Sequence, residues 1–419
     1  MLLQLGVFED RAVENFHPIA DTRPAYMLLL GTTTLLTKIV SLLQPVEELH
    51  LFTRPELAEL LSERVAMAKV NIVDEVDGPI LLVNGLLIPD KVLVRKLRVL
   101  RVGQCVVKDG RMVAAHLHPH KAAEYVGDLA THRLPNLSYE TLEYTSARLI
   151  TYPWELIEMN AEMILNEFAY SESAGMIDSG VRVYGDARRL YVGEKSEVEF
   201  GSVIDVRNGP VHIGRQTVVR PFSRLEGPLW IGDNCIVDSC ILKGGTSLGD
   251  WCRVGGEVEA SVFQGFSNKR HTGYLGHSYV GEWVNIGAGT NVSNLKNTYG
   301  THRMRLAVGR VDTGRTFLGC FLGDHVKTGI GTNIISAKRI GVSSHVYGYV
   351  KGDVPSFTAY SDGRMVEIDL NSALRTAKRM MTRRGVEMTI SYARILQRIF
   401  EITSAERHAA GVSRGEFRP

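Results

Sequence analysis

A hexapeptide repeat between about residue 181 and residue 350 constrains the fold of this chain more than any other feature of its sequence. An aliphatic residue followed by glycine recurs along this segment, at Val192, Ile213, Ile231, Leu248, Val280, Ile286, Leu322 and Ile340. Ile213 and Ile231 are separated by three hexapeptide units, whereas Val280 and Ile286 are separated by one. A hexapeptide unit, repeated three times in each turn, is the signature of a parallel β-helix. The pattern therefore predicts a triangular solenoid with a narrow core of Ile, Val and Leu, in which glycine relieves crowding at the corners.

Two segments interrupt the hexapeptide period and are predicted to leave the solenoid as loops. The step from Leu248 to Val280 is longer than one coil, and the excess falls in "FQGFSNKRHTG", residues 263–273. The second segment is "NLKNTYGTHRMR", residues 294–305. Loops that leave a repetitive scaffold often carry function. Functional side chains are therefore expected in and between these two segments.

The remaining chain divides into three further segments. Residues 1–150 alternate strand-like runs such as "GPILLVNGLLI" with helix-like runs such as "PELAELLSERVAMAK", which predicts an α/β, Rossmann-like domain with a largely parallel sheet. Residues 151–175 are predicted to hold a linker helix that begins at Pro153. The β-helix then occupies residues 176–358, and residues 359–419 are predicted to be helical.

Three smaller signals are interpreted structurally. The segment "GTTTLLTK", residues 31–38, has one glycine and no Gly-Lys-Ser/Thr, so it is predicted to begin a helix rather than to bind phosphate. Gly385 is predicted to break the C-terminal helices, the second of which has an apolar stripe at Ile395, Ile399 and Ile402. Three histidines alternate at strand spacing and could suggest a metal, but a polar surface strand is favoured: His116, His118 and His120.

Composition limits the class of protein. A chain of 419 residues with 44% hydrophobic and 22% charged residues is long enough for two or three cores, and its net charge of +2 favours neither nucleic acid nor a membrane surface as a partner. The five cysteines are an odd number without a CxxC pair, which predicts a reducing cytoplasm rather than a disulfide framework. The N-terminus becomes acidic after a few apolar residues and no run reaches eighteen apolar residues, so neither secretion nor membrane spanning is expected.

The motifs within the solenoid resemble those of the bifunctional GlmU-type family, which makes UDP-N-acetylglucosamine. That family carries H-x-x-Y-L-G, then N-I-G-A-G-T with an asparagine four residues later, and this chain has His271, Tyr274-Leu275-Gly276, Asn285 to Thr290 and Asn294 in that order. "PFSRL", residues 221–225, is similar to the family's Pro-Phe-Ala-Arg-Leu and aligns Arg224 with its sugar-phosphate arginine. The "TRP" opening, the "YPW" linker and "GHSYVGEWVN" are similar to a divergent sugar nucleotidyltransferase branch of the family. The resemblance implies a left-handed β-helix and a homotrimer, or a dimer of trimers, with sites between subunits.

The resemblance also implies roles for individual residues. In this family the β-helix transfers an acetyl group from acetyl-CoA to the amine of glucosamine-1-phosphate, and His271 aligns with the general base. Tyr274 and Asn285 are expected to hold the sugar and its phosphate, together with Arg224. A backbone N–H near the Gly287 to Gly289 corner is expected to stabilise the oxyanion, and Asn294 and Ala288 are expected to bind the coenzyme.

Departures from the family pattern leave the substrate open. Ser261 stands where the family has a phosphate-binding lysine, and Lys269 or Arg270 is expected to substitute for it. The segment after Asn294 is longer than in the family and contains Arg303, which is expected to contact the substrate. The sugar phosphate, the nucleotide base and the acyl donor are therefore not specified by the sequence.

The N-terminal segment departs further from the nucleotidyltransferase pattern. The glycine-rich loop that wraps a triphosphate is missing from "FEDRAVENFHPIADTRP", and Leu86 stands where the family's magnesium-binding aspartate would be, with Asp90 four residues later. One hypothesis is that this domain catalyses Mg²⁺-dependent nucleotidyl transfer. The other is that it has no catalytic activity and binds a nucleotide sugar as a regulatory domain. A third class, the γ-type carbonic anhydrases, also uses a left-handed β-helix, with zinc on three histidines; the candidates here are His271, His277, His302, His325 and His345. No metal site is predicted on the β-helix, because the second and third ligands of that pattern are not evident.

Overall fold

The structure is a computed structural model that describes residues 3–72, 78–130 and 139–417, with the side chains of 128–130 left out. The strands of the N-terminal half are β1 (Leu3–Phe8), β2 (Leu29–Leu30), β3 (Thr33–Thr34), β4 (Val46–Phe52), β5 (Ala68–Val70), β6 (Ile80–Asn84), β7 (Leu87–Ile88), β8 (Gln104–Lys108), β9 (Arg111–Leu117), β10 (Glu140–Glu143) and β11 (Arg148–Leu149). The helices are α1 (Leu35–Leu43), α2 (Ala58–Arg64), α3 (Lys91–Arg98), α4 (Pro119–Ala130), α5 (Pro153–Glu167), α6 (Leu370–Thr382), α7 (Ile390–Ile402) and α8 (Ser404–Ala409). The chain forms two units, one from most of the segment that ends at Pro153 and one from the remainder, which also takes in His17–Asp21 and Leu29–Thr32.

The strands of the second unit are short, as a hexapeptide repeat requires. They are β12 (Met176–Ile177), β13 (Arg182–Tyr184), β14 (Leu190–Val192), β15 (Glu197–Val198), β16 (Val203–Asp205), β17 (Val211–Ile213), β18 (Val218–Val219), β19 (Arg224–Glu226), β20 (Leu229–Ile231), β21 (Ile236–Leu242), β22 (Thr246–Leu248), β23 (Arg253–Glu259), β24 (Val262–Gly265), β25 (Asn268–Lys269), β26 (Tyr274–Gly276), β27 (Tyr279–Glu282), β28 (Asn291–Val292), β29 (Arg303–Leu306), β30 (Gly309–Asp312), β31 (Cys320–Leu322), β32 (Lys327–Thr328), β33 (Asn333–Ile334), β34 (Lys338–Ile340), β35 (His345–Tyr347), β36 (Tyr349–Val350), β37 (Thr358–Ser361) and β38 (Arg364–Glu367).

The first unit is an α/β domain around a seven-stranded sheet with the order β10-β8-β9-β6-β1-β4-β5. Strand β1 pairs in parallel with β4 and β6, whereas β9 runs antiparallel to both β6 and β8. The sheet is therefore mixed, and the Rossmann-like architecture is confirmed with more antiparallel pairing than the alternation of segments predicts. Thr34 caps α1 by accepting from the Thr37 N–H, so residues 31–38 do begin a helix.

The second unit is a left-handed parallel β-helix whose coils stack through three rows of strands. One face runs β14-β17-β20-β22-β24-β27-β31-β34, and β21 and β23 each continue across the other two faces. The core is a column of Val, Ile, Leu and Cys side chains that are almost fully buried. Parallel coils lie about 4.8 Å apart. Outward side chains at matching positions therefore form straight columns along the solenoid.

Glycine relieves crowding at the corners, as predicted, but the left-handed turn itself is made by another residue. Gly249 follows Leu248 with an ordinary φ, but a Cβ there would lie 2.2 Å from the Gln264 carbonyl oxygen of the next coil. The left-handed residue is Trp251, two positions later, with φ of 63°, and Trp283 occupies the same position two coils on. Glycine therefore permits the close approach of successive coils, and the turn itself is made by a non-glycine residue.

One predicted loop is wrong and the other is confirmed. Residues 263–273 stay in the solenoid, because β24 pairs with β27 and β25 pairs with β23. The repeat is hidden there because Phe263 fills the core position and is followed by glutamine instead of glycine. After β28 the chain does leave the solenoid, forms the antiparallel β29–β30 hairpin, and rejoins at β31.

Three further expectations have mixed outcomes. Gly385 lies between α6 and α7, as predicted, and Ile395 and Ile399 are buried, but Ile402 is 48% exposed. The polar surface strand predicted at the three alternating histidines is wrong. Strand β9 ends at Leu117 and α4 begins at Pro119. His116 is therefore in the strand, His118 lies between the strand and the helix, and His120 is in the helix. Proline at the first helical position explains this change of structure.

The linker helix α5 is held against the solenoid by a buried asparagine. The Asn160 side chain accepts from the Gly31 N–H at 2.7 Å and donates to the Gly245 carbonyl at 2.8 Å. Its Nδ2 also donates to the Ser247 hydroxyl at 2.9 Å, and that hydroxyl donates to the Gly31 carbonyl at 2.7 Å. All these groups belong to the second unit, and Asn160 is fully buried, so its three hydrogen bonds replace those with water.

Candidate functional site

One cavity of the β-helix gathers several of the residues singled out by the sequence. His271, Asn285 and Ala288 line a space of about 510 Å³ together with Ile286 and Gly287. His271 is exposed at a corner, between β25 and β26. Within the described part of the chain the Ala288 N–H has no acceptor, whereas the N–H of Gly287 donates to the Thr328 hydroxyl. An imidazole and a free backbone donor therefore share this cavity.

One column of side chains on successive coils lines the cavity and the adjoining space and continues beyond them to His345. Arg253 pairs in register with Asn268, Asn268 with Asn285, Asn285 with Lys327, and Lys327 with His345. Each step is one coil, about 4.8 Å, so five outward side chains lie along about 19 Å. The asparagine that the sequence singled out is the middle member of this column.

Arginines from helix α6 and the residues after it cover the column, and the sequence reasoning missed them. Arg384 donates to the Asn268 Oδ1 at 2.5 Å, and the Asn268 amide is 3.4 Å from the Asn285 Oδ1. Arg379 and Arg383 line the adjoining space of about 290 Å³, which also contains Asn268 and Asn285. The only signal in the sequence is the pair "RR" at the end of a predicted helix, and nothing in the chain order connects it to Asn285, which lies far earlier in the chain.

The walls of this cavity are strongly basic. Its charged lining residues are cationic: Arg253, Arg270, Arg379, Arg383, Arg384 and Lys327, and within the described residues no carboxylate lines it. Burial lowers the pKa of Arg384, and the neighbouring guanidinium groups of Arg253 and Arg383 lower it further. Burial also lowers the pKa of Lys327 to about 7, although its ammonium donates to the carbonyls of Trp283 and His325. Like charges held this close repel one another, so the cavity favours a polyanion.

Tyr274 and Asn294 lie in a different group. The Tyr274 hydroxyl donates to the Glu259 carboxylate at 3.1 Å and accepts from the Asn294 Nδ2 at 2.8 Å. The same Nδ2 lies 2.9 Å from the His277 Nδ1. Within one chain, these two residues belong to a network around His277 and are absent from the lining of the His271 cavity.

Two expected ligand-binding arginines are not brought to the cavity either. Arg224 is three coils from Tyr274, about 14 Å, and pairs with Glu226 on its own strand at 2.5 Å. Arg303 lies on the hairpin, where it pairs with Asp312 at 3.5 Å. The chain folds these residues apart because they lie on a distant coil or on the insertion.

Lys269 does not replace the missing phosphate-binding lysine. Its side chain is 1% exposed, and the Nζ donates to the carbonyl oxygens of Gly255, His271 and Gly273 at 2.9, 3.3 and 2.7 Å. Burial lowers its pKa to about 8. All three N–H groups of this ammonium are used by the backbone, so the expectation that Lys269 binds substrate is not supported. Arg270, by contrast, lines the cavity and pairs with Asp238 at 3.0 Å.

The candidate zinc histidines do not converge within one chain. His271 lines the basic cavity, whereas the His277 Nδ1 contacts Asn294. The Nε2 of His302 lies 3.1 Å from the Asn294 carbonyl, and the Nε2 of His325 lies 3.0 Å from the Tyr392 hydroxyl. Among the residues that the structure describes, no group of three histidine, cysteine or acidic side chains is arranged to hold a metal ion.

The first unit has a cleft of its own at the carboxyl ends of β1 and β4. It encloses about 450 Å³ and is lined by Glu9, Asp10, Thr53 and Arg54, among others. Ligands of open α/β sheets bind at this edge, where connections leave in opposite directions. The cleft lies where a nucleotide or sugar would be expected, and the sequence reasoning did not identify its residues.

The carboxylates of this cleft are already engaged by cations. Glu9 accepts from Arg54 at 3.3 Å and from the Thr53 hydroxyl at 2.7 Å. The Asp10 Oδ2 accepts from Arg111 at 2.8 Å and from the Asn84 amide at 2.8 Å. Oxygen ligands that are held by guanidinium groups do not fit a magnesium site.

The two positions compared with the family's metal ligand do not fit magnesium either. Leu86 is 1% exposed and apolar, and Asp90 is the N-cap of α3, where its carboxylate accepts from the N–H groups of Val92 and Leu93. A capping carboxylate is directed at its own helix. The residues described for this unit therefore provide no Mg²⁺ site at these positions.

Within the described ranges, no helix combines the length and apolar character needed to cross a membrane.

Known proteins similar to this chain include nucleotidyltransferases and acetyltransferases. Residues 5–174 match the family model described as sugar nucleotidyl transferase. The bifunctional sugar-1-phosphate nucleotidylyltransferase/acetyltransferase of Sulfurisphaera tokodaii is 28% identical over 198 residues, which are 46% of this chain and 43% of that protein. The bifunctional protein GlmU of Herminiimonas arsenicoxydans is 32% identical over 137 residues, 32% of this chain and 26% of that protein. The chain aligns with less than half the length of either relative.

A solved structure of the Arabidopsis UDP-N-acetylglucosamine acyltransferase aligns with 56% of this chain and 81% of its own, at 10% identity and a TM-score of 0.25. The β-helix is established by the parallel pairing of its own coils.

Proposed function

We propose that this chain transfers an acetyl group from acetyl-CoA to the amine of an amino-sugar phosphate or nucleotide sugar, at the cavity of His271. The observation that carries the proposal is the combination, in one cavity, of an exposed imidazole, a free backbone N–H at Ala288 and a wall of arginines. Coenzyme A is a polyanion with a diphosphate and a 3′-phosphate. Arginine is well suited to such groups, because its planar fork bonds two phosphate oxygens at once.

The chemistry assigns a separate part to each group. An ammonium has no lone pair, so His271 takes a proton from the amine as the amine nitrogen attacks the thioester carbonyl carbon. The carbon–sulfur bond then breaks, an amide forms, and the sulfur leaves as the coenzyme thiol after receiving from His271 the proton that came from the amine. The Ala288 N–H is available to the oxygen that becomes negative in the tetrahedral intermediate. Arg383 and Arg384 hold the phosphates of the coenzyme.

The test is acetyl transfer from acetyl-CoA to glucosamine-1-phosphate and to other amino-sugar phosphates and nucleotide amino sugars, followed by the release of free thiol. His271→Ala should lower kcat about a hundredfold to ten-thousandfold, which is the usual contribution of general base catalysis. His408→Ala is the matched control, since His408 is an exposed histidine on α8 outside the cavity. Equal rates for the two variants would remove His271 as the base, and no transfer to any acceptor would remove the proposal.

For the full protein we propose a homotrimer, on the basis of the family resemblance. Three of the expected substrate-binding residues lie outside the His271 cavity of their own chain: Tyr274, Asn294 and Arg224. In a trimer, a neighbouring subunit would supply the residues that bind the acceptor. Analytical ultracentrifugation measures the assembly directly. A monomer that transfers acetyl groups at the full rate would show that one chain is sufficient.

For the first unit we propose binding of a nucleotide sugar without nucleotidyl transfer. The observation in favour is that Glu9 and Asp10 are both in ion pairs with arginines, at the edge of the sheet where a metal would be needed. The test incubates UTP or dTTP with sugar-1-phosphates and Mg²⁺, and measures pyrophosphate release alongside binding of UDP- and dTDP-sugars. Pyrophosphate release with any pair of substrates would overturn the proposal, as would an absence of nucleotide-sugar binding.

A further inference from the structure

A second cleft of the β-helix, here called the His277 cleft, lies outside the acetyl-transfer cavity. It encloses about 620 Å³, within the size range of small-molecule sites, between helix α5, a corner of the solenoid and the returning end of the insertion. Its floor consists of small residues at successive corners: Pro228, Gly244, Gly245 and Ala260. His277 occupies the next corner, so an imidazole follows a row of small side chains.

The protonation of His277 is determined by its hydrogen-bond network. The Glu259 carboxylate can only accept, so the Tyr274 hydroxyl donates to it and must accept from Asn294. Asn294 therefore presents its amide nitrogen, whose second hydrogen is directed at the His277 Nδ1 at 2.9 Å. The Nδ1 is an acceptor, so the proton of the neutral imidazole is on Nε2. A carboxylate three groups away thus fixes the tautomer.

The Nε2 of His277 is a donor without a partner. Within the described residues no hydrogen bond to this atom is formed, and His277 lines the cleft. Its ring stacks on Phe317 with centroids 5.4 Å apart, and Phe317 is half exposed. One side of the cleft therefore combines an oriented N–H donor with an accessible aromatic ring.

The lining of the cleft also includes one guanidinium and one carboxylate in contact with each other. Arg315, on the insertion, pairs with Glu158 of α5, and both residues line the cleft. The charges balance, in contrast to the six cations of the acetyl-transfer cavity. A hydroxyl group both donates and accepts, so adjacent hydroxyls can bond an arginine and a carboxylate together. A phosphate or a nucleotide would meet an unfavourable carboxylate instead.

We propose that the His277 cleft binds an uncharged pyranose, with its ring on the floor of small residues and against Phe317. The Nε2–H of His277 donates to a ring or hydroxyl oxygen, and Arg315 and Glu158 bond neighbouring hydroxyls. Asn294 and Tyr274 are positioning residues that hold the imidazole in this tautomer. The cleft shares no lining residue with the His271 cavity, so sugar binding to it can be tested separately from acetyl transfer.

The test is calorimetric titration of the full chain with glucose, galactose, mannose and N-acetylglucosamine, with uridine as the competing ligand class. His277→Phe keeps an aromatic ring against Phe317 but lacks the donor, and His277→Gln keeps an N–H donor at a similar distance from the backbone. We expect at least one sugar to bind, with about tenfold weaker binding in His277→Phe and partial recovery in His277→Gln. His271→Ala should bind the same sugar as tightly as the parent chain does.

Folding is checked by comparing the circular dichroism and thermal unfolding of the two His277 variants. Phe317→Leu provides a second test that leaves the hydrogen-bond network untouched, and it should also weaken binding. The proposal is overturned if no neutral sugar binds at millimolar concentration, if His277→Phe binds as the parent does, or if His271→Ala weakens binding equally. Binding of uridine in place of the sugars would overturn the assignment of the ligand class.

Discussion

Neutralising Arg384 tests whether the basic cavity holds the phosphates of coenzyme A. Arg384 is partly buried, donates to the Asn268 Oδ1 at 2.5 Å and lies beside Arg253 and Arg383. Arg384→Gln removes the positive charge but keeps a polar side chain that can still reach toward Asn268. The substitution therefore acts mainly on the positive electrostatic potential of the cavity and on the contact between Arg384 and a phosphate.

The size of the effect follows from the exposure of the site. A hydrogen bond to a charged group contributes about 1.5–3 kcal/mol, and a change of about 1.4 kcal/mol alters affinity tenfold. Solvent reaches this cavity, so the lower part of that range applies, and the Kd for coenzyme A should rise about tenfold to thirtyfold. The effect should shrink as salt increases, because added ions screen exposed charges beyond about 8 Å at about 0.15 M.

Calorimetric titration measures this effect with two controls. Arg398→Gln removes an arginine of α7 that pairs with Glu401 at 3.3 Å and does not line the cavity, so its Kd should match that of the parent. Pantetheine, which has the thiol arm without the phosphates, should bind the parent and Arg384→Gln equally. If Arg384→Gln and Arg398→Gln have the same Kd for coenzyme A, the cavity does not bind its phosphates and the reasoning fails.

Three predictions concern the scaffold. Asn160→Ala should lower the free energy of unfolding, measured by urea titration, by about 2–4 kcal/mol, because it leaves buried backbone groups without partners. An effect below about 1 kcal/mol would show that water replaces the side chain. Ile399→Ala should lower the free energy of unfolding by about 2–5 kcal/mol, because this side chain is fully buried. Ile402→Ala should lower it by less than about 1 kcal/mol, because Ile402 is half exposed. Equal losses in the two variants would contradict the packing. Lys269 has a pKa of about 8 when folded and an ordinary value of about 10.4 when unfolded, so between these values the unfolded chain binds more protons and stability rises with pH. Lys269→Met should reduce that rise, as measured by the urea midpoint at pH 7.5 and pH 9.5, and an unchanged rise would show that other groups cause it.

Sequence reasoning identified the cavity only in part. His271, Asn285 and Ala288 do lie together, because a hexapeptide period places residues of successive coils at predictable corners and columns. The family resemblance assigns Tyr274 and Asn294 to the same substrate in a site between subunits, and within one chain these two residues belong to the network around His277. The network around His277 could not be foreseen, because it depends on which way each side chain turns from the corner, and on Glu259 one coil below.

The errors have related causes. The segment 263–273 was predicted to be a loop because phenylalanine and glutamine replace the aliphatic-glycine pair, yet Phe263 fills the same core position. Lys269 or Arg270 is expected to replace the missing phosphate-binding lysine because both lie in the predicted loop, but strand alternation turns Lys269 inward, to three carbonyl oxygens. A lysine in a strand is expected outside by default, and only the local geometry shows the exception.

The sequence by itself determined the scaffold, since a hexapeptide period allows one kind of closed coil and the apolar positions must face its core. It also determined which residues meet along a column, because that relation depends on the repeat alone. The tertiary structure decided what covers each column. Helix α6 and the residues after it bring Arg379, Arg383 and Arg384 over Asn285, and the insertion brings Arg315 and Phe317 to His277. Such contacts join segments that are distant in the chain and share no period, so only the packing of the folded chain specifies them.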